Sequence, residues 1–407
     1  MSAPTTNAPD EAGAAAPLGR LGGGASQAGG RAYNERLTLS LIRLNGPLPK
    51  ADLARLTRLS AQTMTIIMRR LEADGLVVAQ EPVRGRIGQP SIPYALSREG
   101  AYFFGVKIGR RSTEIVLCDF LGAIVDRTRW THAYPEPEDT VKSVAAAITR
   151  MRKKNGCGAR VAGVGVATPF ELWKWAQEID APPGALEGWR DLDLAAQLSE
   201  RTGLPALVAN DASAACGAEL ARRPREAHQD WLYFFVGSFV GGGVVIDGAL
   251  FQGRRGNAGA LGSIPVFVDA AAAPLISHAS VLTLEKQIAQ AGLDPVLLQH
   301  PDRSWDGAGP ILDRWIERAG AALAWACVAG AAVIDPQRVV IDGAVPRDVL
   351  ARIVAQTRRR VERLPTHGLN PFEIVAGEIG ADARALGGAM LAMNASFGCG
   401  PEVLLKS

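Results

Sequence analysis

At 407 residues the chain exceeds one ordinary domain and suits two or three, and with 47% hydrophobic residues it can bury a sizeable core. Its formal charge is only +3, from 44 Lys and Arg against 41 Asp and Glu, so the chain as a whole is close to balance. Cys118, Cys157, Cys216, Cys327 and Cys399 stand apart with no C-x-x-C pair, which argues against a zinc ribbon and a disulfide framework and suits a reducing cytoplasm.

Residues 1–30 are Ala, Gly, Pro, Ser and Thr with hardly any apolar bulk, which predicts a disordered tail. They lack the charged start and apolar run of a signal peptide. From Arg31 the pattern changes. Leu37, Leu41, Ile42 and Leu44 recur at helical spacing, and Gly46-Pro47 ends that segment. A short helix is expected at Lys50 to Leu56, then a tight turn at Thr57-Arg58-Leu59. Ser60 is a good cap for a third helix reaching about Asp74, with Gly75 as its stop. Met64, Ile67, Met68 and Leu71 form its apolar face. Two strands, Leu76 to Ala79 and Ile92 to Leu96, flank a polar turn at 84–89. Three helices and a hairpin make a winged helix-turn-helix over 31–98, whose third helix enters the major groove of double-stranded DNA.

Charge supports that reading. Between Arg31 and Arg98 eleven basic residues face five acids, so this region carries more than the net charge of the whole chain. The residues expected to meet DNA are Ser60, Ala61, Gln62, Thr63, Thr65 and Arg69 on the third helix, with Arg84, Arg86 and Gln89 in the wing. A winged helix used for protein contacts, and wing arginines that are merely solvated, are the alternatives.

A second region begins at residue 99. YFFGVKIG and STEIVLCDFLGAIVDRTRW read as three strands, with Asp119 to Gly122 as the second turn. A helix at about Asp139–Lys153 and an apolar strand over 161–170 follow. Residues 231–251 repeat the opening pattern, with Asp247-Gly248 as a turn. Two hairpin-led units about 130 residues apart imply a duplicated α/β fold with a cleft between halves. The run Leu204 to Ala209 reads as a strand that stops at Asn210-Asp211, just ahead of an Ala-rich helix from Ala212 to Leu220. Asp211 at that strand end could accept hydrogen bonds or a proton from a hydroxyl, or could simply be the helix cap. The longest apolar run, Gly320 to Ile334, is short for a membrane span and reads as a buried helix, so no membrane partner is expected.

Several segments, in order, resemble the ROK family (repressors, open reading frames and kinases), in its N-acetylglucosamine/xylose-repressor type with a fused winged helix. They are GPLPKADLARLTRLSAQTMTIIMRRLEADGLV (46–77), VANDASAACGAE (208–219), GSFVGGGVVIDGALFQGRRGNAGALG (237–262), DPQRVVIDGAV (335–345) and ALGGAMLA (385–392). The resemblance implies a duplicated actin/hexokinase-like (RNase H-like) ATPase fold over 99–407. One lobe would span about 99–220 plus the C-terminal helix, and the other 230–385.

The departures from the family pattern bear on activity. Where family kinases carry an Asp and a glycine-and-threonine turn for ATP phosphates, this chain has Lys107 and Arg110-Arg111-Ser112. The family's sugar-holding Glu is Ala260 here, and its sugar- and zinc-holding His is Ser263. The stretch expected to complete a zinc site, Ile276 to Thr283, has no cysteine and offers only His278, so neither metal nor cofactor is expected. Phe170 follows Pro169 where the family has Gly, and the loop 181–189 lacks the family's Asn. Effector contacts are then expected from Asn210, Asp211, Phe170, Trp189, Gly259, Ser263 and Glu285. Trp173 and Trp175 are further candidates for stacking, with core packing as the alternative for each aromatic.

The resulting expectation is a DNA-binding transcriptional regulator, a repressor of a carbohydrate or related small-metabolite pathway, and not an enzyme. It would bind operator DNA and a small polar effector, sugar-like or another polar metabolite, as a homodimer or homotetramer. The alternative is a sugar kinase with Asp211 as general base.

Overall fold

The computed structural model describes residues 27–83, 91–223, 229–268 and 271–399. The expected tail lies outside these residues up to position 26; its last positions belong to the first helix instead, α1, Gln27–Asn45. The N-terminal module continues with β1, Leu48–Pro49, α2, Lys50–Thr57, and α3, Ala61–Ala73. It closes with β2, Val77–Ala79, and β3, Pro93–Leu96. The sheet order is β1-β3-β2. Periodicity does not reveal β1, because two residues beside a proline carry no alternation; pairing with β3 (Leu48 opposite Tyr94) makes it a strand. The turn between α2 and α3 forms as expected, with Arg58 in the left-handed region at φ 55°.

The first lobe holds β4, Tyr102–Ile108, β5, Ser112–Cys118, and β6, Ile124–Thr131. Then come α4, Pro137–Lys154, β7, Val161–Thr168, α5, Leu194–Thr202, β8, Ala206–Asn210, and α6, Asp211–Arg222. The second lobe opens with β9, Trp231–Val236, β10, Val240–Ile246, β11, Ala249–Leu250, β12, Pro265–Val268, and β13, Ala271–Pro274. It continues with α7, Ile276–Ala279, α8, Val281–Gln290, and α9, Gly309–Ile334. The chain then runs through β14, Arg338–Gly343, α10, Arg347–Val361, β15, Glu373–Ala376, and α11, Ala383–Phe397.

The duplication is explicit in the strand orders, β6-β5-β4-β7-β8 in one lobe and β11-β10-β9-β14-β15 in the other. Each sheet has an antiparallel hairpin-led half and a parallel half joined at its central strand. Asp247 and Gly248, both at positive φ, form the tight turn between β10 and β11. Strands β4 and β9 are buried almost throughout because both faces of each sheet are covered, which is why they read as continuous apolar runs. Helix α9 is long and apolar enough to cross a membrane by composition. In the fold Leu312, Trp315, Ala319, Leu323 and Cys327 of that helix lie in the core of the second lobe.

Two packing features position the site. Helix α11 returns from the second lobe to lie on β4, β7 and α6 of the first. The approach is backbone to backbone: a Cβ on Gly105 would overlap the Ala385 carbonyl, and one on Gly165 would overlap that of Gly388. The N-terminal module also shares a core with the first lobe. Leu39, Ile42, Met64 and Met68 join Phe103, Phe120, Ala389 and Met393 in one cluster. Phe397 meets Phe120 and Phe103 edge-on at 5.0 and 5.9 Å between ring centres. Arg43 of α1 donates to the Phe120 carbonyl at 2.8 Å and lies over that ring.

Candidate functional site

Two surfaces gather the chemistry. The first is α3. Ser60 caps it, its Oγ accepting the Thr63 N–H at 3.1 Å and lying 2.9 Å from Thr63 Oγ1. Thr65 Oγ1 donates back to the Ala61 carbonyl at 2.8 Å. Met64, Ile67, Met68 and Leu71 are buried as their spacing predicts. Ala61, Gln62 and Arg69 are exposed, while Thr63 and Thr65 are half-buried. Arg70 is engaged by Glu35 at 3.0 Å, so Arg69 is the cation that α3 presents without an ion pair to any described residue. Ile66, 63% exposed, shares the outer stripe with Gln62 and Arg69. Sequence reasoning passed over it, although an isoleucine opposite the 64/67/68/71 face is the available signal. Arg84, Arg86 and Gln89 lie outside the described residues.

The second surface lies at the carboxyl ends of β4, β7 and β8. Asn210 ends β8 opposite Thr168 of β7. Its Oδ1 accepts the N–H groups of Ala212 and Ser213 at 3.0 and 3.2 Å, so Asn210 is the cap of α6. The cap role considered for Asp211 therefore belongs to its neighbour. Asp211, freed from capping, receives Arg384 Nη1 of α11 on Oδ2 at 3.4 Å, with both side chains largely buried.

Cations surround this carboxylate. Lys107 is buried under the β4–β5 turn, where Nζ donates to Ser112 Oγ at 2.8 Å and to the Ser112 carbonyl at 3.2 Å. Burial, reinforced by the nearby Arg384, pushes its ammonium well below the ordinary lysine range. Arg110 is 8% exposed, and its guanidinium sits 3.8 Å from the centre of the Phe239 ring and 4.7 Å from that of Trp175. Phe239 belongs to the β9–β10 turn, so the equivalent turns of the two lobes meet through Arg110. Burial lowers the Arg110 pKa to about 10 even though Asp211 opposes the shift. His132 bonds through Nε2 to Thr113 Oγ1 at 3.2 Å; burial, then Lys107 and Arg111, push it down to about 4.

The other expected contacts divide. Trp189 is buried in the first-lobe core with its indole N–H donating to the Pro135 carbonyl at 2.7 Å, so its ring packs rather than presents a stacking face. Trp173 packs against the same core. Trp175 is the tryptophan beside Arg110, 4.6 Å from Phe239, and its Nε1 donates to the Phe170 carbonyl at 3.2 Å. Phe170 itself is 48% exposed. Gly259, at φ 79°, lets the loop touch the backbone of Gly243, a packing role. Ser263 is exposed, and Glu285 is half-buried on α8. His278 accepts Arg318 Nε on Nδ1 at 3.0 Å. Among the described residues no three His, Cys, Asp or Glu side chains converge as a ligand set. A hollow of about 880 Å³ on the second lobe, beside Phe267, Trp325, Arg314 and Arg360, includes none of the strand-end residues.

Comparison with known proteins agrees with this geometry. The ROK family model matches residues 103–395, and the model for a winged helix-turn-helix DNA-binding module matches 31–78. A protein of Sinorhizobium fredii named as uncharacterized protein y4fQ is 27% identical over 361 residues, covering 87% of this chain and 89% of its own. The xylose repressor of Bacillus subtilis is 25% identical over 238 residues, 57% of this chain and 60% of the repressor. The crystal structure of a ROK family transcriptional regulator, described as a homolog of the E. coli MLC protein, superposes with a TM-score of 0.67 at 20% identity. That superposition covers 92% of this chain and 98% of the other.

Proposed function

The chain belongs to the ROK family, and from that premise we propose that it is a transcriptional repressor whose operator affinity is set by a small polar metabolite bound between its lobes. The unit spanning 31–98 binds double-stranded operator DNA through α3. Gln62 and Ile66 face base edges, Arg69 meets phosphate, and Ser60, Ala61, Thr63 and Thr65 shape the helix entry. The unit from 99 onward holds the effector, with Asp211 as a hydrogen-bonding anchor and Asn210 fixing the helix that carries it. The chain acts as a homodimer or homotetramer on a palindromic site, in the cytoplasm where DNA is available.

One observation carries this reading. Helix α11 begins with Arg384 on Asp211 and ends with Phe397 against Phe120, beside α1 of the winged helix. Cys399, just beyond it, donates its N–H to Ser40 Oγ of α1 at 3.3 Å. Fifteen residues of helix, about 22 Å, thus join the cleft to the DNA-binding module. An effector that engages Arg384 or Asp211 in one lobe arrangement more than in another shifts the population of α11 positions, and with it the spacing of paired recognition helices.

A mobility-shift titration with DNA from around the chain's own gene tests the proposal. A specific, salt-sensitive shift is expected, and its absence overturns it. The competing kinase reading asks Asp211 to act as a base while Arg384 holds it and Lys107 stands where family kinases have an acid. ATP turnover with a sugar panel, lost on Asp211→Ala, would favour the kinase instead.

A further inference from the structure

The cleft contains more hydrogen-bonding capacity than its own residues satisfy. Arg110 Nε and Arg384 Nε are buried without a hydrogen-bond partner. Arg110, more than nine-tenths buried, makes neither a hydrogen bond nor an ion pair with any described residue; it has only the faces of Phe239 and Trp175. Two guanidiniums, Arg110 and Arg384, act on one another here, and Arg384 also acts on the buried Lys107, adding to the burial that disfavours its charged form. The acids within their field are Asp211, which one 3.4 Å contact ties to Arg384, and Glu178 and Glu114, which form no ion pair with any of the three. Arg129 adds a further positive charge near Lys107. Burying cations without matching anions is costly, and a buried donor without an acceptor is costly as well. Two acceptors nearby are also unpartnered, Glu178 Oε2 and Thr168 Oγ1. Glu178 lies within the field of Arg110, and Thr168 ends β7 opposite Asn210.

We propose that the effector is an organic anion, a small hydroxylated metabolite whose carboxylate or phosphate is gripped by Arg110 and Arg384. Its hydroxyls reach Glu178, Thr168 and Asp211. The Arg110 guanidinium lies over the Phe239 and Trp175 rings, whose centres are 4.6 Å apart, so both rings lie to one side of it and its N–H groups remain for a ligand oxygen, a donor array that suits carboxylates and phosphates. An anion on Arg384 also competes directly with Asp211 for the first turn of α11. The charge sign of the ligand is thereby linked to the helix that reaches the winged module. This inference deepens the regulator reading and rests on it for the consequence at DNA, but not for binding itself.

The test uses the full-length chain, followed by thermal denaturation and calorimetric titration. The probes are inorganic phosphate and matched sets of neutral sugar, sugar acid and sugar phosphate, namely glucose, gluconate and glucose 6-phosphate, and xylose, xylonate and xylose 5-phosphate. Anionic members and inorganic phosphate are expected to raise the melting temperature, and neutral members to do so less or not at all. The acid and phosphate arms show which anion fits. Arg110→Gln and, independently, Arg384→Gln should weaken anion binding about tenfold or more, and Arg110→Lys should restore part of it. Binding by neutral sugars alone, no response to any anion, or anion binding unchanged in both Gln variants overturns the proposal. Operator binding by the same preparations is scored separately. A chain that binds anions but no DNA refutes the regulator reading and leaves the anion site standing.

Discussion

Arg384 Nη1 lies 3.4 Å from Asp211 Oδ2, tying the first turn of α11 to the first turn of α6. The two residues are 173 positions apart, and the contact links the last helix among the described residues to the end of β8. It places a guanidinium on one oxygen of the carboxylate that the kinase reading uses as a free base.

The contact is expected to be worth about 1–2 kcal/mol, because it is a charge-assisted but long hydrogen bond between largely buried groups. Urea unfolding of Asp211→Asn, Arg384→Met and the double variant measures it as a coupling energy. Asp211→Asn should keep operator affinity and lose most of the effector response. Additive single-variant losses would show that the two side chains do not interact in solution.

Phe397 is the far end of the same helix. Phe397→Ala removes ring contacts with Phe103 and Phe120 from a half-buried site, an expected loss of about 1–3 kcal/mol. Because α3 itself is untouched, operator affinity without effector should change little. The effector-induced release of DNA should shrink. Fluorescence anisotropy with labelled operator, with and without effector, reads both quantities.

On α3, Gln62 and Arg69 should separate by kind. Gln62→Ala is expected to cost about 1–3 kcal/mol on the preferred operator and to relax preference at one base pair. Arg69→Ala should weaken binding similarly on all sequences and reduce the slope of log affinity against log salt by about 1. Equal effects on specific and random DNA from both variants would place Gln62 off the bases.

His132 gives a pH signature. Its imidazole is held down at about 4 in the fold, chiefly by burial, with Lys107 and Arg111 adding to it, against an ordinary value of 6.5. Between those values the unfolded chain binds the proton and the folded chain does not, so this group makes stability rise with pH from about 4 to 6.5 and level off above. The urea midpoint should follow that course, and His132→Asn should flatten it. An unchanged pH profile in the variant would assign the dependence to other groups.

Much of the architecture is legible from local pattern. The α3 stripe of Met64, Ile67, Met68 and Leu71, the Ser60 cap and the Asp247-Gly248 turn are encoded within a few residues, where periodicity and turn chemistry act. The duplicated hairpins are legible because both lobes repeat the same apolar runs. Elements whose definition is a partner are not: β1 exists through Tyr94, and the outward Ile66 matters through the surface it joins.

The strand end at 208–220 marks the same division. By itself the sequence determined that an amide and a carboxylate stand where β8 meets α6, and that Lys107 and Arg110-Arg111-Ser112 stand at the turn between β4 and β5. Those are facts of residue type and local order. Only the tertiary structure decided that Asn210, not Asp211, caps the helix, that Trp189 is core while Trp175 flanks Arg110, and that Arg384 answers Asp211. The reason is physical: burial, charge pairing and ring contact depend on which distant segments are brought together, and here α11 crosses back over 173 residues to bring them.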